Sequence, residues 1–254
     1  MAYLQFRNVS LNYHTLNGEV EALKDINLSI AKEEFVSVVG PSGCGKTTLL
    51  SLVSGLINCT KGEVLLDGVP VTGTNKRVGY MLQQDYLFEW RTVLDNALLG
   101  LEIQRAKTPE AVEEVRGMLK AYGLGGFEDY YPSQLSGGMR QRVALIRTLA
   151  TKPDVLLLDE PFSALDYQNR LSVGEEVARI LRERRKTVVM VTHDIPEAVS
   201  MSNRVIVLTP RPGRVRSIHK IDLQDLGLTP LQTREHPSFR EYFTAIWKEI
   251  NIHD

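Results

Sequence analysis

The segment that most restricts the fold is Gly40-Pro-Ser-Gly-Cys-Gly-Lys46-Thr47, set between Phe35-Val-Ser-Val-Val39 and Thr48-Leu-Leu-Ser-Leu52. The first flank is short, apolar and β-branched, which reads as a buried strand, and the second reads as a helix. The pattern G-x-x-x-x-G-K-[ST] requires that strand before it and that helix after it. Its glycines, Gly40, Gly43 and Gly45, let the backbone close around phosphate oxygens, so that N–H groups converge on them at a helix N-terminus. Pro41, Ser42 and Cys44 complete the loop, and Thr48 follows on the first helical turn. Lys46 supplies a point charge for β- and γ-phosphates, and the Thr47 hydroxyl is a candidate Mg²⁺ ligand.

A chain of 254 residues suits one large domain or a domain with subdomains. With 43% hydrophobic and 24% charged residues the composition is that of a soluble globular protein. No apolar run approaches the roughly 20 residues of a spanning helix, so any membrane work needs other chains to cross it. A net charge of −1 argues against wholesale nucleic-acid binding. The first residues carry neither a basic n-region nor an apolar h-region, so no secretory leader is expected. Cys44 and Cys59 make no disulfide framework, which suits a reducing cytoplasm.

Along the chain, Leu4, Phe6, Val9 and Leu11 roughly alternate with polar residues, and Ile26, Leu28 and Ile30 do so strictly. These predict half-buried antiparallel strands. Tyr13, near the end of the first run, is either a surface-edge aromatic or a platform on which a base stacks. Asp67-Gly68 predicts a hairpin turn. Arg77-Val-Gly-Tyr-Met-Leu82 reads as a strand leading into Gln83-Gln84-Asp85, where a glutamine can bind Mg²⁺ or orient a water, or can simply belong to a turn. From about Thr92 to Ala150 the pattern is helical: Thr108-Pro109 opens one helix, Val112, Val115, Met118, Leu119 and Tyr122 form its apolar face, and Gly123 ends it. Ser136-Gly137-Gly138 opens another helix and makes a second potential anion site, though such a start is usually only a cap.

Asp154-Val-Leu-Leu-Leu158 reads as a buried parallel strand ending in Asp159-Glu160. Asp159 is placed to hold Mg²⁺, and Glu160 can orient or deprotonate an attacking water. Ser163-Ala-Leu-Asp166 is read as a turn near those carboxylates. A helix over Leu171–Arg184 precedes strand Thr187–Thr192, which delivers His193 to the edge carrying the phosphate loop. Arg182–Lys186 reads as a solvated helix end, Val205–Leu208 as a strand, and Pro210–Arg214 as a turn. Pro237–Ile250 reads as a helix packing Phe239, Phe243, Ile246, Trp247 and Ile250 against the body. Because Cys44 sits near a helix N-terminus, its thiol pKa is expected to fall, with alkylation blocking nucleotide binding; a small unreactive loop filler is the alternative.

Taken in order, these motifs resemble the ATP-binding cassette (ABC) ATPases over essentially the whole chain. In that family's terms GPSGCGKT matches the Walker A motif, Leu135–Gln141 the signature, Val155–Glu160 the Walker B strand with its glutamate, Gln83 the Q-loop, Ser163–Asp166 the D-loop, His193 the switch histidine and Tyr13 the adenine-stacking aromatic. The resemblance implies an α/β fold: a P-loop NTPase core (about 1–84 and 151–220) with an antiparallel β subdomain, an inserted α-helical subdomain (85–150) and a C-terminal helical extension (221–254). It implies ATP and Mg²⁺ as ligands, with Glu160, His193 and Gln83 catalytic and Thr47, Gln83 and Asp159 around the metal. It also implies a head-to-tail homodimer or a pair with a second ABC ATPase subunit, in which ATP held by one chain is closed over by Ser136, Gly137 and Gly138 of the other, with Asp166 beside it.

Gln83–Asn96 and the PGR sequence followed by an amphipathic helix look like the nitrate/sulfonate/taurine/bicarbonate importers, whose relatives include carriers of vitamin precursors. Glu89 stands where that group often has Pro, and Gln84 where Glu is common; both departures bear on the transported solute rather than on hydrolysis. The resemblance therefore implies a peripheral ATPase on the cytoplasmic face of the membrane, with an integral permease, a solute-binding protein acting indirectly, and no nucleic acid. Rival readings are a soluble ABC ATPase of ribosomes or DNA, disfavoured by the single cassette and short insert; an exporter ATPase, disfavoured by the Q-loop segment; and a silent nucleotide-binding module, at odds with Lys46, Asp159, Glu160 and His193.

Overall fold

The structure is a computed structural model and describes residues 2–15, 18–163 and 165–251. Strands β1 (Ala2–Thr15) and β2 (Gly18–Ala31) form a long antiparallel pair. Leu4, Phe6 and Val9 face Ile30, Leu28 and Ile26, all buried, so the alternation marks the buried face. The pattern is only rough in β1 because the register shifts between Phe6 and Val9, where Asn8 takes a left-handed φ of 49°.

Next in the chain come β3 (Phe35–Val39), helix α1 (Lys46–Ser54), β4 (Lys61–Leu66) and β5 (Val69–Pro70). Strand β4 pairs with β1 to extend the antiparallel sheet in the order β2-β1-β4-β5. Asp67 and Gly68 both take positive φ, 54° and 76°, in a two-residue connection of the kind that matches strand twist.

The second sheet adds β6 (Val78–Met81), β7 (Val155–Asp159), β8 (Thr187–Val191), β9 (Arg204–Leu208) and β10 (Val215–Lys220), in the order β10-β9-β3-β8-β7-β6. All its pairings are parallel except β10 on β9. Every residue of β3, β7 and β8 is buried, as befits central strands covered on both faces. These three strands run side by side in one direction. Their carboxyl ends, which lead into Gly40, Glu160 and Thr192, therefore open on one edge of the sheet.

Three capped helices follow β6. Helix α2 (Val93–Ile103) is capped by Thr92, α3 (Pro109–Ala121) by Thr108 with Pro109 at its first turn, and α4 (Gly137–Ala150) by Ser136. Val115, Met118, Leu119 and Tyr122 are buried with residues of α2, α4 and β7 in one continuous core. Helix α5 (Tyr167–Glu183) begins four residues before the expected Leu171. Its first turn rests on the Asp166 cap and exposes Tyr167, so no apolar periodicity announces it.

Helices α6 (Ile195–Met201) and α7 (Pro230–Glu235) and strand β10 were not legible in the pattern; the helices are short and β10 is a half-buried edge. Arg182 to Arg185 are exposed, the solvated helix end expected, and within it Arg182 Nη1 donates to Leu228 O at 2.8 Å while Nη2 bonds Gln224. Helix α8 (Phe239–Asn251) packs Ile246 into a core with Val199, Val205 and Val207, whereas Trp247, expected on the same face, is half exposed. Among the described residues no helix is long and apolar enough to cross a membrane.

Candidate active site

The loop between β3 and α1 wraps Lys46, which is 8% exposed, so that Nζ donates to Gly40 O at 2.9 Å and to Pro41 O at 3.0 Å. Gly45 has φ 101°, and a Cβ there would lie 2.6 Å from Leu23 Cδ2 and 3.1 Å from Ala22 O. Glycine is therefore required both by the backbone conformation and by the close approach of β2. A cavity of about 240 Å³ lies over the loop. It is lined by Tyr13 and Ala22 from the hairpin, by Ser42, Gly43 and Gly45–Thr48, and by Glu160. Tyr13 OH and Thr48 Oγ1 share a hydrogen bond at 3.2 Å, which joins the aromatic to the first turn of α1.

Thr47 Oγ1 donates to Asp159 Oδ1 at 3.3 Å, and the Tyr80 hydroxyl donates to Asp159 Oδ2 at 3.2 Å. Burial pushes the Asp159 carboxyl above the usual range, and these two hydrogen bonds oppose it. Burial, reinforced by the Asp159 charge, raises the Tyr80 hydroxyl. Tyr80 escaped the sequence reading because it lies inside a strand and carries no motif. A hydroxyl and a carboxylate converging within 3.3 Å are a hard-oxygen donor set, which fits Mg²⁺ completed by phosphate oxygens and water.

Glu160, just past β7, holds φ 46° while its N–H donates to Val191 O at 2.8 Å. A left-handed non-glycine residue at a sheet edge is the kind of strain found at working sites. Its Oε2 accepts from Gln83 Nε2 at 3.0 Å and lies 3.3 Å from His193 Nδ1. Gln83, Glu160 and His193 are thus brought together although they come from three separate segments. Asp85 anchors the Gln83 segment, because Arg140 Nε on α4 donates to Asp85 Oδ2 at 3.1 Å and Arg147 Nη2 to Asp85 O at 2.6 Å.

The turn carrying His193 is held by a hydrogen-bond chain. Thr192 Oγ1 donates to Glu197 Oε2 (2.7 Å) and accepts from Asp194 N (3.0 Å). Asp194 Oδ1 caps α6 at Glu197 N, and Asp194 Oδ2 accepts from Arg170 Nη1 at 3.0 Å. Burial pushes the Glu197 carboxyl from 4.5 up to about 7. A raised folded pKa means that stability from this group is fully present below 4.5 and is lost as pH rises to 7. The loss is about 3 kcal/mol in all. Glu197→Gln is therefore expected to narrow the fall in melting temperature between pH 5 and pH 8. Parallel melting profiles for the two proteins would contradict this.

Cys44 is fully buried, and its thiol pKa is raised by desolvation rather than lowered, so the expected reactivity is not a property of this loop. Ser136, Gly137 and Gly138 do not line the cavity; Ser136 is exposed, and a Cβ on Gly137 would meet nothing nearer than Leu165 Cδ2 at 3.9 Å. Asp166 caps α5, and the hydrogen bond from the Asn169 N–H holds its carboxyl below the usual range. Ala164, beside it, lies outside the described residues. Arg211, read only as part of a turn, also lines the cavity.

The family model described as "ABC transporter" matches residues 23–163. The chain is 46% identical over 251 residues to the uncharacterized ABC transporter ATP-binding protein YtlC of Bacillus subtilis, covering 99% of this chain and 96% of that protein. It is 39% identical to the taurine import ATP-binding protein TauB of Roseobacter denitrificans, covering 97% and 95%. Among solved structures, the dimeric post-hydrolysis state of the ATP-binding cassette MJ0796 bound to ADP and Pi superposes with a TM-score of 0.74 at 33% identity, covering 86% of this chain and 98% of that one.

Proposed function

Because the chain belongs to the ABC transporter family and is an ATPase of that family, we propose that it powers a bacterial importer of a small solute of the nitrate/sulfonate/taurine/bicarbonate kind or a vitamin precursor. The observation that carries the hydrolytic part is the meeting of Gln83 and His193 on Glu160 at the rim of the phosphate loop, 3.0 and 3.3 Å from one carboxylate oxygen. Lys46 leaves its carbonyl partners for the β- and γ-phosphates, and Tyr13 stacks on adenine. Thr47 and Asp159, with Gln83, hold Mg²⁺, which when bound neutralises charge on the phosphates. Glu160 accepts a proton from the attacking water, while Gln83 orients that water and His193 bonds the γ-phosphate.

The open helix start at Ser136–Gly138 needs a second chain to meet a nucleotide. A head-to-tail pair of identical chains brings it there, with Asp166 beside it. The dimeric state of the cassette relative supports this arrangement.

Likeness to a taurine import ATP-binding protein supports the importer assignment. So does the surface after Gln83. Trp90 is 74% exposed and stacks on Phe88 at 4.8 Å, while the buried Asn96 side chain bonds Phe88 N, Phe88 O and Arg91 O and so holds the segment rigid. A rigid exposed aromatic of this kind suits a permease docked on the cytoplasmic side. Affinity capture of the tagged chain from detergent-solubilised membranes is expected to bring down a polytopic membrane protein, and Trp90→Ala to lose it. Capture of ribosomes or DNA-repair factors would replace the importer reading with a soluble ATPase.

A further inference from the structure

The cavity over the phosphate loop contains a cation that belongs to none of the motifs above. Arg211 sits in the turn between β9 and β10. Its Nε donates to Gly43 O at 3.2 Å, across 168 residues of sequence, and its Nη2 lies 3.4 Å from where a Gly43 Cβ would be. The turn is not free to swing away. Gly213 N donates to Ala22 O, and Lys24 N to Gly213 O, both at 3.0 Å, which ties the turn to β2. Gly213 also packs so tightly on the loop that a Cβ there would fall 2.0 Å from Cys44 O. Thr209 Oγ1 closes the turn on itself through Pro212 O and Arg214 N.

What distinguishes Arg211 from an ordinary surface arginine is what its guanidinium lacks. Among the described residues, neither Nη atom has a hydrogen-bond partner and no carboxylate pairs with the guanidinium. Its neighbour Arg214, by contrast, is paired with Asp25 at 3.3 Å. The cavity lining carries two cations, Lys46 and Arg211, against one carboxylate, Glu160. A planar fork anchored by its Nε and presenting unused donors matches phosphate oxygens.

We infer that Arg211 binds the polyphosphate of the nucleotide, adding a second cation to Lys46 from outside the phosphate loop. This rests on the reading of that loop as the ATP site. It means that nucleotide affinity depends on how the β9–β10 turn is docked, as well as on the loop itself.

Binding of ATP, GTP and inorganic tripolyphosphate to the full chain tests this, with Lys46→Ala as a control for the site. Arg211→Ala is expected to raise the dissociation constant for all three by about tenfold, the loss of a charge-assisted contact. Arg211→Lys should recover part of that loss and Arg211→Gln none, with the nucleotide-free melting temperature of all three variants close to wild type. Affinities of Arg211→Ala within twofold of wild type overturn the proposal. So does a loss confined to ATP and GTP with tripolyphosphate unaffected, which would put Arg211 on the nucleoside. If Lys46→Ala also binds normally, the site reading itself fails; if only Arg211→Ala binds normally, the failure is of Arg211 alone.

Discussion

Glu160→Gln is expected to lower ATP turnover by roughly 10²–10⁴-fold, the usual contribution of a positioned general base, while ATP binding is kept. The substitution preserves length and planarity, so the contact from Gln83 Nε2 at 3.0 Å and the packing of the β7 end can survive. The left-handed backbone at Glu160 is no harder for glutamine than for glutamate, which removes strain as an explanation of any loss. What goes is the proton acceptor. Single-turnover hydrolysis measured beside equilibrium ATP binding separates chemistry from affinity. Wild-type turnover in this variant would mean that the base is elsewhere.

The second large effect is expected at Gly137, which contacts nothing of the phosphate loop in its own chain. Gly137→Asp should cut turnover at least 100-fold, because in the proposed head-to-tail pair it places a carboxylate against the partner's polyphosphate and spoils donors of the kind worth 10²–10³ each. The fold should tolerate it. The new Cβ meets only Leu165 Cδ2, at an ordinary 3.9 Å, and an acid in the first turn of α4 complements the helix dipole. ATP binding by the single chain should stay within about threefold of wild type, since the substituted position is outside that chain's cavity. In the Glu160→Gln background, ATP should then hold chains in pairs, as seen by light scattering, and adding Gly137→Asp should leave them single. Full turnover by Gly137→Asp would sink the two-chain site.

Much of this architecture could be read before any coordinates, and for identifiable reasons. Alternation in β1 and β2 names the buried face because side chains on a strand have a period of two. The helix starts at Thr92, Thr108 and Ser136 were legible because the caps are local, with a hydroxyl accepting from an N–H three residues on. Helix α6 and strand β10 were missed for the converse reason. A seven-residue helix shows too little period, and a half-buried edge strand too little apolar contrast.

The sequence by itself determined the chemistry at the ends of the central strands: a glycine loop with Lys46 and Thr47 after β3, two carboxylates after β7, and a histidine after β8. Each is local, legible in a few consecutive residues, whereas their order across the sheet, with β8 between β3 and β7, is not their order along the chain. Only the tertiary structure decided what comes to meet them. Tyr80 reaches Asp159 across 79 residues, Gln83 reaches Glu160 across 77, and Arg211 lies on Gly43 across 168. Periodicity specifies which face of a segment is buried but not which other segment covers it. The same limit explains Cys44. Proximity to a helix N-terminus argues for a thiolate, but that is a short-range effect of neighbouring residues. Complete burial beneath the β9–β10 turn is a property of the packed whole, and there desolvation wins.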